Sequence, residues 1–274
     1  MKEVALVLGA GGARGLSHVH VLEAFDDLGV RPCVIAGSSI GSVIGAGYAA
    51  GMSGAEIRGY ALSTFGKRAE VMSRLWRLRP ESIVSMISGR DNRFGEFNAQ
   101  KVMRAFLPPS LPETFGELSI PLKVTATDFY SGSLTVLESG NLIAAIAASA
   151  AIPVIFRPET INDRVHVDGG LANPVAFDLV AAPGRIVVAV DVVGLPRHRG
   201  RKLPSRFDAA FGASQLMMRS ITRMKLEFCR PDLLIRPPID EFRVLDFLRA
   251  GEIIEKTQGV RAEARAGLEK LLVE

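Results

Sequence analysis

The chain is poor in the residues that build cross-links, metal sites and histidine-based triads: 274 residues hold two cysteines and four histidines. Cys33 and Cys229 lie far apart, which suits neither a disulfide framework nor a metal site and points to a reducing compartment with two structural thiols. Long hydrophobic runs are also missing. None approaches the roughly 18 apolar residues of a spanning helix. The opening residues MKEVALVLGAGGARG hold only the short apolar run Val4 to Leu8, too little for the apolar region of a secretory signal. A soluble or peripheral, cytoplasmic chain is therefore expected. With no repeat, low-complexity tract or linker, the expected organisation is one domain over residues 1–274.

What remains is a globular composition. The chain is 48% hydrophobic and 23% charged, enough for a core of Ala, Val, Leu and Ile under a solvated surface. The formal charge of +4 biases it mildly toward anionic partners. Part of that bias is local, since Arg197, Arg199, Arg201, Lys202 and Arg206 crowd into PRHRGRKLPSR. A solvated loop is the favoured reading there, ahead of a lipid-headgroup or nucleic-acid contact.

The pattern alternates between strands and helices. Val4 to Leu8, ended by Gly9, reads as a strand buried on both faces. Leu16 to Leu28 carries apolar residues at three- and four-residue steps and predicts a helix closed by Gly29. Cys33 to Ala36 predicts a second strand, and Ile40 to Ala50 a helix with Gly45, Ala46 and Ala49 toward the sheet. From Ser53 to Leu118 the chain reads as mostly helical, with Ser53 and Asn98 as N-caps, and is expected to form a cap over the sheet. Strands return at Leu122 to Thr127, Leu134 to Leu137, Ile186 to Val193 and Leu233 to Pro237, with a short helix at Leu142 to Ser149. Met217, Ile221, Met224 and Phe228 line one face of a further helix, read as core packing. Such alternation argues a wound α/β sheet.

The stretch Gly37-Ser38-Ser39-Ile40-Gly41 carries the chemistry. A serine between glycines, where a strand turns sharply into a helix, is held in a strained, exposed turn at the positive end of the helix dipole. Ser39 is the candidate nucleophile, and Ser38, out of frame, faces away. The loop Gly9-Ala10-Gly11-Gly12-Ala13-Arg14-Gly15 follows the first strand and offers backbone N–H groups unobstructed by side chains, each worth on the order of 3 kcal/mol to a developing oxyanion. It fails as a dinucleotide fingerprint because Arg14 stands where the third glycine belongs after Gly9 and Gly11, and the next strand ends in AGSS without an acidic ribose ligand. No Gly-Lys-Ser/Thr follows for a phosphate-binding loop.

Four histidines leave few candidates for a base. His18 and His20 precede the serine, His166 sits near a strand end, and His198 lies in the basic loop. Asp168 is the better candidate. It ends Arg164-Val-His-Val-Asp168 and is followed by Gly169-Gly170, so a strand would present its carboxylate at an open bend. A dry site raises the pKa of such a carboxylate toward that of a useful base.

Together GAGGARG, GSSIG and the Asp-Gly of VDGG resemble the patatin-like phospholipase family. The likeness extends to ATDFYSG (126–132), ASAAIPVIF (148–156) and DGGLANPV (168–175), and covers most of residues 4–193, leaving 207–274 as a helical and strand extension. It implies a three-layer α/β/α patatin-like fold with a mostly parallel central sheet and a helical cap region. It also implies a dyad with Ser39 as nucleophile and Asp168 as base, and an oxyanion hole from the N–H groups of Gly11, Gly12, Ala13 and Arg14. Gly15, Gly37, Gly41 and Gly169 complete the motifs. One departure is Ala10, which stands where the family usually has glycine; alanine still offers its N–H.

The function implied is hydrolysis of lipid acyl esters by a phospholipase- or lysophospholipase-like serine hydrolase, with no metal or organic cofactor. Two alternatives stay open, an α/β-hydrolase-type esterase using His198 and a catalytically idle lipid-binding module. The expected partner is a lipid or acyl-ester substrate, without nucleic acid, and a peripheral contact with an anionic inner membrane face stays open. Residues 58–118 are expected to supply much of the pocket wall. Trp76, Met72 and Met86 are candidate lid contacts there, with core packing the favoured role for each.

Overall fold

The computed structural model describes residues 2–78, 97–196 and 203–273. His198, Met86, Arg197, Arg199, Arg201 and Lys202 lie outside the described residues. The chain runs from β1 (Val4–Leu8) through the glycine loop and a 3-10 turn (Gly12–Ser17) into α1 (His18–Asp27), so the helix expected from Leu16 starts as a tighter turn at Gly12. β2 (Val34–Ser38) turns at Ser39 into α2 (Ile40–Ala49). Then come α3 (Gly54–Phe65), α4 (Arg68–Leu78), α5 (Ala99–Phe106), β3 (Leu122–Asp128), β4 (Leu134–Leu137) and α6 (Leu142–Ser149). The remainder is β5 (Glu159–Ile161), β6 (Arg164–Asp168), β7 (Ile186–Val190), the long α7 (Arg206–Phe228), β8 (Leu233–Ile235), α8 (Ala250–Lys256) and α9 (Gly259–Val273). Both expected caps form: Ser53 and Glu56 make a reciprocal capping box on α3, and Asn98 accepts from the Lys101 N–H on α5.

Among the described residues the strands form one sheet, ordered β5-β6-β3-β2-β1-β7-β8 with β4 also on β3. The run β3-β2-β1-β7-β8 is parallel, whereas β4, β6 and β5 enter antiparallel. β4 covers one edge of β3 from Val124 to Thr127. The other edge is shared: β2 pairs with it as far as Thr125, opposite Ser38, and β6 takes over at Ala126, opposite Asp168. β2 and β6 therefore meet head-on along a single strand edge.

Helices and loops cover both faces, which is why β1 and β7 are apolar at every position. Val4, Leu6 and Leu8 of β1 join the larger core with α1, α2, α3, α6, α8 and α9, while Ala5 and Val7 join a second core with Val175, Phe177 and Leu226 of α7. This is the three-layer α/β/α arrangement expected. Gly45 of α2 lies against Ile35 and Leu122, so the helix packs close to the sheet on the side anticipated.

Three expectations about packing are corrected. In α3, Ile57 and Ala61 belong to the main core, so that helix is part of the helical layer rather than a cap. Met72 and Trp76 on α4 are exposed, not core, because Val71 is the buried position of that helix. Met217, Met224 and Phe228 of α7 are also exposed; the helix turns Gln215, Thr222 and Leu226 inward instead, where they meet the loop after β7 and the second core.

The glycines of the elbow are set by close approach. A Cβ on Gly41 would run into the Leu8 carbonyl, whereas one on Gly59, mid-α3, meets nothing. Gly41→Ala is expected to destabilise the protein by at least about 2 kcal/mol through overpacking, and Gly59→Ala to stabilise it by about 0.5–1 kcal/mol. Urea denaturation of the two variants beside the wild type measures both. Equal stabilities would contradict the packing described.

Candidate active site

Ser39 is the N-cap of α2 and has φ 54° and ψ −123°, a conformation strained for any residue but glycine. The strain is enforced locally. Gly37 and Gly41 pack so closely against Ser42 and Leu8 that no side chain fits. Ser42 donates from its N–H and hydroxyl to the Ser39 carbonyl at 2.9 and 2.7 Å, fixing the first turn of α2 behind it. The Ser39 N–H donates to Ser149 Oγ at 2.9 Å. Ser38 does face away, donating to the Asn173 carbonyl and accepting from Thr125 Oγ1.

The head-on meeting of β2 and β6 brings Asp168 to the elbow across 129 residues of sequence. Ser39 Oγ donates to Asp168 Oδ2 at 2.7 Å. The other carboxylate oxygen accepts from the Gly170 N–H at 2.8 Å, and the Asp168 carbonyl accepts from Thr127 Oγ1 at 2.8 Å. Gly169 sits against the Thr125 carbonyl with no room for a Cβ, so the turn after Asp168 requires glycine. Burial pushes the Asp168 carboxyl up to about 6, although the bonds from Ser39 and Gly170 pull the other way. A buried carboxylate of raised pKa bonded to a serine hydroxyl can take that proton as the oxygen attacks.

The glycine loop lies beside this pair. Gly15 packs on Ile40, the residue after Ser39. The Gly9 N–H donates to the Val190 carbonyl, Ala10 to Pro174 and Ala13 to Val244. Arg14 is buried and its guanidinium donates to the carbonyls of Phe242, at 2.9 Å, and Val193. It holds the loop against two later segments of the chain. Ala13, expected among the oxyanion donors, is thus engaged by Val244. Among the described residues the N–H groups of Gly11 and Gly12 reach no protein acceptor, and both glycines line the same cleft as Ser39 and Asp168.

The histidines take structural places. His18 Nε2 bonds the Gly9 carbonyl at 3.0 Å, and burial pushes its pKa down to about 4, so the ring is neutral and donates. His20 bonds the Ile254 carbonyl at 2.8 Å, and His166 is buried in β6. Among the described residues no histidine is bonded to Ser39 or Asp168.

The cleft has a volume of about 170 Å³. Beyond the residues above, its walls are Ile152, Pro153 and Val154 together with Phe211, Ser214, Gln215 and Met218 of α7. No described residue from 58 to 118 lines it, contrary to expectation. Two contributors escaped the sequence reading. Ser149 was within the quoted ASAAIPVIF, but nothing local ties it to residue 39. The inward face of α7 gave no signal because it is mixed, Phe211 and Met218 beside Ser214 and Gln215, the last donating to the Val193 carbonyl at 3.1 Å.

Comparison with known proteins gives a consistent result. A family model described as patatin-like phospholipase matches residues 6–181. An uncharacterized NTE family protein of Mycobacterium tuberculosis is 32% identical over 192 residues, which cover 70% of this chain and 49% of that protein. Lysophospholipase NTE1 of Debaryomyces hansenii is 27% identical over 280 residues, covering 92% of this chain and 17% of that protein. The chain spans about half or less of the length of these relatives. Among solved structures, VipD from Legionella pneumophila has the same fold, with TM-score 0.53 at 14% identity over 96% of this chain and 67% of that one.

The buried carboxylate has a consequence for stability. The folded-state pKa of Asp168 lies above the ordinary value of 3.8, so the folded protein binds this proton more tightly than the unfolded chain. The group's contribution to stability is greatest below about pH 4 and declines as pH rises through about 6. Asp168→Asn removes the charge without removing the volume. At pH 7.5 the variant is expected to be more stable than wild type by up to about 3 kcal/mol, with the gap shrinking toward pH 4.5. Denaturant titrations at the two pH values measure it, and a variant less stable at pH 7.5 would contradict the burial argument.

Proposed function

The chain belongs to the patatin-like phospholipase family, and from that premise we propose that it hydrolyses acyl esters of lipids with Ser39 as nucleophile and Asp168 as base. The observation that carries this reading is the 2.7 Å bond from Ser39 Oγ to Asp168 Oδ2, made by a serine held at positive φ at the start of a helix.

In the first step Ser39 Oγ bonds to the acyl carbon while its proton passes to Asp168 Oδ2. The carbonyl oxygen becomes an oxyanion facing the Gly11 and Gly12 N–H groups, while the Arg14 N–H, expected as a further donor, is taken up by the i→i−3 bonding of the 3-10 turn that begins at Gly12. Collapse of this intermediate breaks the bond to the leaving alcohol, which takes the proton back from Asp168. Water then repeats the sequence on the acyl-serine, giving its proton to Asp168, and the carboxylic acid leaves as Ser39 recovers its hydrogen.

The environment of each group supports its role. Ser149 Oγ and the carbonyl contacts of Ser42 hold the nucleophile, and Thr127 and Gly170 hold the base. Arg14 contributes by fixing the loop rather than by touching substrate, since its guanidinium is engaged with two carbonyls. The cleft is smaller than the ~300–1,000 Å³ of a typical ligand pocket, so it takes the acyl end at the ester and leaves the remainder of a lipid outside. Lipid substrates are also suggested by the lysophospholipase name of the Debaryomyces relative.

Ser39→Ala is expected to lower kcat/KM for a soluble ester at least about a thousandfold and to abolish labelling by a fluorophosphonate. Full esterase activity in that variant would end the proposal. The wild-type kcat/KM is expected to fall on the acid side with an apparent pKa near 6, the raised value of Asp168, because the base must be ionised. His198→Ala is expected to keep turnover within about twofold of wild type; a loss of several orders of magnitude would instead favour a histidine base.

A further inference from the structure

Helix α7 (Arg206–Phe228) has its polarity reversed. Gln215 and Thr222 are buried, while Leu216, Met217, Met224 and Phe228 are exposed by 55%, 57%, 54% and 92%. Single exposed apolar residues need no explanation. Three of these are different because they share one stripe: 217, 224 and 228 recur at helical steps, and Leu216 lies between that stripe and the arginines of the neighbouring groove. A stripe of this kind on a well-capped helix, with Ser205 accepting from the Asp208 N–H, marks a surface meant to be covered.

Beside the stripe the surface is cationic. A groove along the same helix is lined by Arg219, Arg223, Arg230 and Arg236, with only Asp191 and Glu227 as acids. Arg236 pairs with Asp191. Among the described residues Arg219 and Arg223 pair with no carboxylate. The opposite face of α7 walls the candidate active-site cleft through Phe211, Ser214, Gln215 and Met218. One helix thus presents an apolar and arginine-rich face outward and the cleft wall inward.

We propose that the outward face of α7 docks the protein on an anionic phospholipid bilayer. Met217, Met224 and Phe228 enter the boundary between headgroups and acyl chains, Leu216 follows beside them, and Arg219 and Arg223 hold lipid phosphates on the far side of Leu216. The proposal rests on the lipid reading of the active site, since docking by this helix sets the cleft next to its substrate. The charge selects this occupant. Self-association with the helices antiparallel about a twofold axis would bring each arginine row toward its copy, and with the helices parallel it would leave the arginines without an acidic partner, whereas an anionic bilayer complements the apolar and the cationic parts at once.

The test uses the purified full chain, co-sedimented with vesicles of phosphatidylcholine alone or with about one third phosphatidylglycerol. Wild type is expected to pellet with the anionic vesicles and to be released by high salt. Met224→Glu with Phe228→Glu, and separately Arg219→Glu with Arg223→Glu, are expected to weaken that binding at least about tenfold. Both variants should hydrolyse a soluble short-chain ester at the wild-type rate, because none of the four residues lines the cleft. Unchanged vesicle binding in both variants, or wild type that binds neither vesicle, overturns the proposal. So does a wild-type dimer in solution that Met224→Glu with Phe228→Glu makes monomeric. The docking and the chemistry fail separately: vesicle binding of this pattern without soluble-ester turnover would sink the catalytic reading and leave the docking face standing.

Discussion

One edge of β3 receives two strands end to end, and everything at the site follows from where they meet. β2 arrives parallel and stops at Ser38 opposite Thr125; β6 arrives antiparallel and stops at Asp168 opposite Ala126. Neither strand can continue without colliding with the other. The chain must leave the sheet at both ends, and it does so in two sharp turns, each built around glycine. Ser39 and Asp168 are the residues at those exits, so a hydroxyl and a carboxylate from distant parts of the chain come within hydrogen-bond reach as a result of strand register.

The same constraint sets the electrostatics. A carboxylate at the blunt end of a buried strand is shielded from water, and burial is the dominant influence on Asp168. The two bonds it accepts offset only part of the desolvation. The surroundings therefore hold an aspartate in a state that is poor for stability and useful for accepting a proton near neutrality. Around it the supporting bonds are short and mostly to backbone: Thr127 to Asp168, Ser42 to Ser39, Arg14 to the segments at 193 and 242. They keep three separate stretches of chain in fixed relation, and among the described residues the Gly11 and Gly12 N–H groups beside the cleft keep no protein acceptor.

α7 couples this interior to the surface. Lys225 on it donates to Asn173, to the Val175 carbonyl and to Asp178, and Asn173 in turn receives the Ser38 hydroxyl on its carbonyl. The helix is thus tied to the turn that follows Asp168 and to the strand that carries the elbow. Its polarity is compatible with this role, because the face toward the protein meets carbonyls and a cleft as well as, at Leu226, the second core. An apolar residue at Gln215 would leave the Val193 carbonyl with one donor fewer.

The strands other than β5, the caps at Ser53 and Asn98, the elbow and the glycine loop were legible in the sequence, because each is dictated by neighbours within a few residues: a buried run, a side chain reaching its own helix, a position where no Cβ fits; β5 (Glu159–Ile161) has no apolar run to announce it. The pairing of Ser39 with Asp168 was reachable by elimination among few histidines and by resemblance, yet its geometry was not, since it depends on two strands sharing one edge of a third. Periodicity correctly placed Met217, Met224 and Phe228 on one face of a helix. It said nothing of which way that face points, and core was the wrong assignment. The cleft wall, expected from 58–118, came from α7 and residues 152–154, and Ala13 lost its donor role to a carbonyl far along the chain. Local chemistry determines which conformation each short stretch adopts; only the packed sheet decides which distant atoms meet, which faces are buried and which amides are left without a protein acceptor.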